Sequence, residues 1–390
     1  MISSPLALSA VIAGATALAF WLDHRSAWLS RLGASLLAIV FGALLVNLGV
    51  VPGSSPVYGA VSGPVTSLAI AWLLLSVHVG DLRRAGLPML KGYGLALTGT
   101  AAGALAGALL FGGTFGDQTW RLAGAFMGTY SGGSLNFVSV GRGLDLPETL
   151  FAGAAAADNL TTGLWLGACL LLPSWLRRWW PERSAPDGSR AGAASAGHDD
   201  GTGEPAPDDD HPFFSTAPVS VLRLSVLVAL GLGLLMAAGG MSRLVPQVPQ
   251  VLWLTTFALA VGHLRPFARM EGAMQLGNFA LHLFFVVIGI FSQVAEIVEV
   301  GLAIFLFTLT VVGVHGLVVF AGGRAAGLDP ETLSVASQAG VGGPSTALAV
   351  AVSRGQSALV LPGVAVGLLG YAAGNYMGFA VAWLVRGLGI

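Results

Sequence analysis

"GTYSGGSLNF", residues 128–137, falls inside an apolar stretch long enough to cross a membrane, and its reading decides the fold. The adjacent glycines Gly132 and Gly133 each weaken a helix by about 1 kcal/mol relative to alanine. Around them stand Thr129, Tyr130, Ser131, Ser134 and Asn136, whose polar atoms lipid cannot satisfy. The pattern returns at an offset of 210 residues in "SQAGVGGPSTAL", residues 337–348, with Gln338, Gly342, Gly343, Pro344, Ser345 and Thr346. Two membrane helices, over about 120–142 and 331–353, are therefore expected to break at their glycines.

The rest of the chain provides the setting. Of its 390 residues 55% are hydrophobic and 9% charged, against about a quarter charged in soluble domains. A membrane helix needs roughly 20 apolar residues. Such runs lie at about 5–22, 32–50, 61–79, 92–113, 120–142 and 149–173, then at 218–239, 249–264, 274–294, 299–322, 331–353 and 357–385. The fold class is an all-α polytopic membrane protein with about 11–12 membrane segments. The alternating ten-residue strands of a barrel are absent. A net charge of −1 without a basic cluster argues against nucleic acid as a partner. The single cysteine, Cys169, excludes an internal disulfide and a thiolate metal cluster. No positive residue precedes the first apolar run, so it reads as a retained helix with its N-terminus outside. The expected location is the bacterial inner membrane.

Residues 177–217, rich in Ser, Ala, Gly, Pro and Asp, read as a flexible acidic linker between a first repeat, 1–176, and a second, 218–390. Its acidic run lacks the spacing of a calcium loop. Arg142-Gly143 and Arg354-Gly355 follow the two double glycines at similar distances. Basic residues follow the helix near 68–79 (Arg83, Arg84, Lys91), whereas they precede its counterpart near 281–291 (Arg265, Arg269), which Glu296 and Glu299 follow. By the positive-inside rule the repeats are inverted. Six crossings per half would make them parallel, so the short segment 249–264 is expected not to cross. Eleven crossings then place the N-terminus and the linker outside and the C-terminus inside, at the cost of putting Arg177 and Arg178 outside.

A broken helix leaves free carbonyls on one half, which suit a cation, and free N–H groups on the other, which suit an anion. Thr129, Tyr130, Ser131, Gly132, Gly133, Ser134 and Asn136, with Gln338, Gly342, Gly343, Ser345 and Thr346, are the candidate substrate-binding set. The competing reading, close packing through small residues, is common in membranes, and this chain has 56 glycines. Asp158 is the one acid well inside an apolar helix and needs a partner or a role. With Asn159, Thr161 and Thr162 it forms an oxygen-rich turn. Asp158, Asn159 and Thr162 are the candidate coupling residues, with Asp158 binding Na⁺ or carrying a proton. No other cofactor is expected. His78, His282 and His315 lack a ligand spacing and read as packing or hydrogen-bonding residues. Trp165, Tyr130 and Tyr371 are candidates to line a cavity.

At these motifs the chain resembles the membrane family known as domain of unknown function 819, in the superfamily of cation/proton antiporters and anion or bile-acid symporters. The matching pieces are Thr129–Ser134 with Asn136-Phe137, Asp158-Asn159-Leu160, Phe284-Phe285 with Ile288-Gly289, Gly342-Gly343-Pro344 with Thr346-Ala347, and Gly370-Tyr371. The resemblance implies inverted repeats forming a core (transport) domain and a panel (scaffold) domain. It also implies two discontinuous crossing helices at the substrate site, and Na⁺- or H⁺-coupled transport. The chain departs from the family pattern in having Gln338 and Gly340 where asparagines are usual.

The expected function is secondary active transport of a small anionic solute by alternating, elevator-like access, in a protein that can pair as a homodimer. No nucleotide-binding loop occurs to make ATP the driver. A passive channel is the alternative. An intramembrane hydrolase using Ser131 or Ser134 is disfavoured, because no base is spaced to activate either. The protein is not expected to be an enzyme.

Overall fold

The computed structural model describes residues 2–26, 29, 33–77, 80, 82–180, 220–265, 267, 270–291 and 294–390. Beyond Trp180 the acidic linker lies outside these residues, as do Arg31, His78 and Arg269. Among the described residues all regular structure is helical, and eight helices are long and apolar enough to cross a membrane.

The first half contains α1 (Pro5–Arg25), α2 (Gly33–Asn47) and α3 (Pro56–Ala60), the last joined through a π-helical turn to α4 (Thr66–Leu75). It continues with α5 (Leu82–Phe115), α6 (Thr119–Thr129), α7 (Ser134–Gly143) and α8 (Glu148–Leu176). The second half contains α9 (Val221–Leu244), α10 (Gln250–Gly262), α11 (Ala273–Phe291) and α12 (Val294–Ala325). It ends with α13 (Pro330–Val341), α14 (Pro344–Ser353) and α15 (Ser357–Gly387). Several starts follow from local chemistry. Ser4, Ser55 and Asp329 each accept a first-turn N–H, and each precedes a proline at the first helical position.

Both expected breaks are present, but the halves do not continue across the membrane. They fold back as hairpins. Arg121 near the start of α6 donates to the carbonyl of Leu144 just beyond α7 at 2.8 Å. Arg354 just beyond α14 bonds Glu331 at the start of α13 at 2.7 Å. A continuous helix would separate that second pair by about 35 Å. The expectation of two discontinuous crossing helices is thus corrected to two helical hairpins. The physical reason lies in the turns. Gly133 (φ 108°, ψ −176°) and Gly343 (φ 84°, ψ −168°) occupy a region essentially open only to glycine. The same finding removes the need for segment 249–264 to stay out of the membrane. That segment is α10, 13 residues long.

The helices pack in two groups. α1–α4 and α9–α11 pack mainly with one another, and α5–α8 pack mainly with α12–α15. Glycines allow the closest approaches. A Cβ at Gly42 would lie 2.0 Å from the Val286 carbonyl oxygen, and one at Gly289 would lie 2.0 Å from that of Ile39. Here α2 and α11 touch backbone to backbone, so the packing reading of small residues holds at this interface. At the seam between the groups, α8 meets α2 and α11, while α7 and α15 meet α10. Phe137, Phe151 and Phe284 carry the buried core across that seam through edge-on ring contacts.

Candidate functional site

The two hairpin tips meet. A Cβ on Gly343 would lie 2.6 Å from the Gly132 carbonyl oxygen, and one on Gly133 would lie 3.5 Å from the Gly343 Cα. The first tip also rests on α15, where a Cβ on Gly132 would come within 2.3 Å of the Gly370 carbonyl carbon. The two tips and α15 are therefore in backbone contact at Gly132, Gly343 and Gly370, where a side chain would collide. Helices α7 and α14 both begin at this meeting point. The amides of Ser134 and Leu135, and of Ser345 and Thr346, have no hydrogen-bond partner among the described residues. All four residues line one cavity of about 240 Å³ at the seam between the two helix groups.

The candidate substrate residues divide between this cavity and the protein behind it. Ser134, Gly342, Ser345 and Thr346 line it, with Asn159 and Thr162 of α8. Gly133 and Gly343 form the turns. Ser131 is buried and bonds the Met127 carbonyl at 2.6 Å, and Asn136 is buried and donates to the Gly370 carbonyl at 2.7 Å. Neither is among the cavity-lining residues. Gln338 is fully buried with both amide atoms unpartnered, its nitrogen 2.7 Å from where a Cβ on Gly342 would sit.

Asp158, 3% exposed, points from α8 into the protein rather than the cavity. Thr129 donates to its Oδ2 at 3.2 Å and Thr162 to its Oδ1 at 3.4 Å. The Tyr130 hydroxyl lies among Asp158, Thr161 and Thr308 without closing a hydrogen bond, and the two threonines bond each other at 2.7 Å. The donor set is one carboxylate with neutral hydroxyls, hard oxygens of the kind that suit Na⁺ or a bound proton. Three carbonyls near the first break already accept a side-chain hydrogen bond. That of Tyr130 accepts from Thr100, that of Ser131 from Tyr93, and that of Met127 from Ser131.

Behind the tips, His315 of α12 is fully buried between Thr100 of α5 and Ser337 of α13, 2.8 Å from each. The Trp165 indole donates to Ser337 at 2.9 Å, and Thr100 lies 3.0 Å from the Tyr130 carbonyl. An indole only donates and a carbonyl only accepts, so one direction satisfies the whole chain. It runs from Trp165 through Ser337, His315 and Thr100 to Tyr130. The reading of His315 as a hydrogen-bonding residue therefore holds.

Sequence reasoning missed the wall opposite the tips. Phe20, Asp23, Ser35, Asn278, Leu281 and His282 line it from α1, α2 and α11. A signal existed in the four-residue spacing of Asn278 and His282, which puts both on one helix face. Tyr371, considered for a cavity role, also lines it.

The family described as "Protein of unknown function (DUF819)" matches residues 10–388. A relative, "Uncharacterized membrane protein YjcL" of Bacillus subtilis (strain 168), is 28% identical over 381 residues, covering 93% of this chain and 92% of its own.

Proposed function

We propose that this chain, which belongs to the DUF819 family, is a secondary active transporter moving a small anionic solute by alternating access. One observation carries the reading. Two helix N-termini, each equivalent to about half a positive charge, converge with four unpartnered N–H groups on one cavity. Like positive ends brought together favour an anion between them, and Asp23, the one carboxylate among the described lining residues, shares that cavity. The cavity lies where two helix groups meet, the place at which one could slide past the other.

Inverted repeats follow from the hairpins by parity. With α6–α7 and α13–α14 turning back, each half crosses five times, through α1, α2, α3–α4, α5 and α8, then through α9, α10, α11, α12 and α15. An odd number inverts the second half. The packing supports the pairing, since α2 meets α11 as α10 meets α4, and α1 meets α11 as α9 meets α4. With the N-terminus outside, only Arg121, Arg142, Arg243 and Arg386 of the 18 Lys and Arg residues fall outside. Arg177 and Arg178 now fall inside, as does the linker, and the C-terminus falls outside. This replaces the eleven-crossing arrangement. One hairpin enters from each face, α5–α8 with α12–α15 form the transport core, and α1–α4 with α9–α11 form the scaffold.

Asp158 is the coupling residue in this reading, binding Na⁺ or a proton beside the first tip. The test is thermal unfolding of the purified protein with a panel of small carboxylates, in NaCl and in choline chloride, at several pH values. A ligand that binds the native state raises Tm by mass action. Stabilisation by a carboxylate that depends on Na⁺ or pH, with the dependence lost in Asp158→Asn, is the expected result. A full panel without any stabilisation sinks the proposal.

A further inference from the structure

We infer that Thr162 links the coupling site to the solute site, its one hydroxyl proton going to Asp158 while that carboxylate is empty and to the solute once it is loaded. The inference rests on the transporter reading and deepens it, by stating how the ion at Asp158 controls solute binding.

Position singles the residue out. Two hydroxyls close hydrogen bonds on Asp158 among the described residues, Thr129 on Oδ2 and Thr162 on Oδ1. Thr129 is fully buried and is not among the residues lining the cavity. Thr162 is half-buried and lines it beside Asn159. It therefore touches both sites.

Its hydrogen bond is unlike those of the neighbouring helices. A helical threonine commonly donates to the carbonyl four residues back, as Thr98, Thr255, Thr256 and Thr310 do here at 2.7–2.9 Å. Thr162 donates instead to the Asp158 side chain, at 3.4 Å. A hydroxyl-to-carboxylate bond is normally about 2.5–2.7 Å, so this proton is loosely held and easily redirected.

A hydroxyl has one proton and two lone pairs. With Asp158 ionised and empty, the proton points at the carboxylate, and Thr162 shows the cavity lone pairs that oppose an anion. A proton or Na⁺ on Asp158 takes that acceptor away. The hydroxyl then gives a lone pair to the carboxyl O–H or to the ion, and its own proton turns into the cavity. There it joins the Ser134 and Ser345 side chains and the tip amides as a donor to the solute carboxylate. No covalent bond is made or broken, because the turn is a rotation about Cβ–Oγ1. A hydrogen bond to a charged group is worth about tenfold or more in a binding constant. By linkage, the solute tightens the ion at Asp158 by the same factor.

Other titratable groups stand around these two residues. Tyr130 lies beside Asp158, His315 against Trp165, and Asp23 and His282 on the far cavity wall. The experiment measures affinities of the intact purified protein for acetate, propionate, lactate and succinate across a range of Na⁺ concentration and pH. It takes the ratio between the ion-loaded and ion-free plateaus. The expected wild-type ratio is at least about tenfold for at least one acid. Thr162→Val keeps the shape without the hydroxyl and should cut that ratio about tenfold, while Thr162→Ser should hold it within about threefold. If the valine variant does not fold, Thr162→Ala against Thr162→Ser makes the comparison. A hydroxyl-free variant with the wild-type ratio, or a serine variant that loses the ratio as valine does, overturns the inference. A ratio kept in Thr162→Val but lost in Asp23→Asn or His282→Gln moves the control to the far wall and overturns it too. Binding of an acid without any dependence on Na⁺ or pH overturns both this inference and the role of Asp158, and leaves the anionic-solute reading standing. Absence of binding by all four acids overturns the transporter reading as well.

Discussion

Arg354 and Glu331 form a two-pronged ion pair, with Nη2 2.7 Å from Oε1 and Nε 3.1 Å from Oε2. Arg177 of the segment after α8 adds a third contact to Glu331 at 2.8 Å, and Arg354 also donates to the Leu170 carbonyl and the Ser174 hydroxyl. The pair ties the two ends of one hairpin together and ties both to α8. It brings the start of α13 and the end of α14 together, so the two helices turn back on each other.

That arrangement predicts the membrane topology. Cysteines at Ser195 and Arg84 should react with an impermeant reagent only after the membrane is opened, and a cysteine at Asp117 should react in intact cells. The native Cys169 is buried and should stay silent. Labelling of Ser195→Cys from outside, with Arg84→Cys inside, would restore a crossing segment in place of a hairpin.

Glu331→Gln leaves two arginines facing a neutral amide at a position whose side chain is 9% exposed. Loss of one partner of such a buried pair should cost about 3 kcal/mol. Glu148→Gln, removing the half-exposed pair with Arg142, should cost under about 1 kcal/mol. Unfolding in a graded denaturing detergent ranks the two, and equal losses would count against the clasp.

Gly132→Ala should be far more damaging than Gly59→Ala. The first places a methyl 2.3 Å from the backbone of Gly370, while the second meets nothing within 4 Å. In α3, alanine should even stabilise by about 1 kcal/mol. Melting temperatures of the two variants check this. A Gly132→Ala protein of unchanged stability would show that the tip does not sit against α15.

His315→Leu leaves the Ser337 hydroxyl proton without its acceptor and Thr100 without its donor, whereas His315→Gln keeps one donor and one acceptor. The leucine variant should be less stable by about 2 kcal/mol, the cost of buried groups left unpaired. The glutamine variant should recover most of it. Equal behaviour of the two would make the histidine a space-filler.

Much of the fold was legible in the chain before folding. The apolar runs marked most of the helices to within about five residues, because lipid demands length and composition that local sequence displays, although α5 begins at Leu82, ten residues before its expected start. The double glycines marked both breaks, since each tip needs a backbone conformation that only glycine adopts freely. Asp158 stood out because an acid inside an apolar helix is costly anywhere it is placed. The site was harder to read. Ser131 and Asn136 share the polar character of Ser134, yet the turn at Gly133 sends them into the protein and leaves Ser134 in the cavity. His282 read as a packing or hydrogen-bonding residue, and its spacing from Asn278 shows a shared helix face but not what that face meets.

The sequence by itself determined the membrane class, the apolar runs, the points where two of them stop, and the oxygens gathered at those points. Only the tertiary structure decided that the halves turn back rather than run on. That choice rests on contacts between residues far apart in the chain, such as Glu331 with Arg354 and Gly132 with Gly370. Local propensity acts over a few residues, so it can end a helix but cannot say where the chain goes next. The direction is set by what the returning half finds to bond and to pack against.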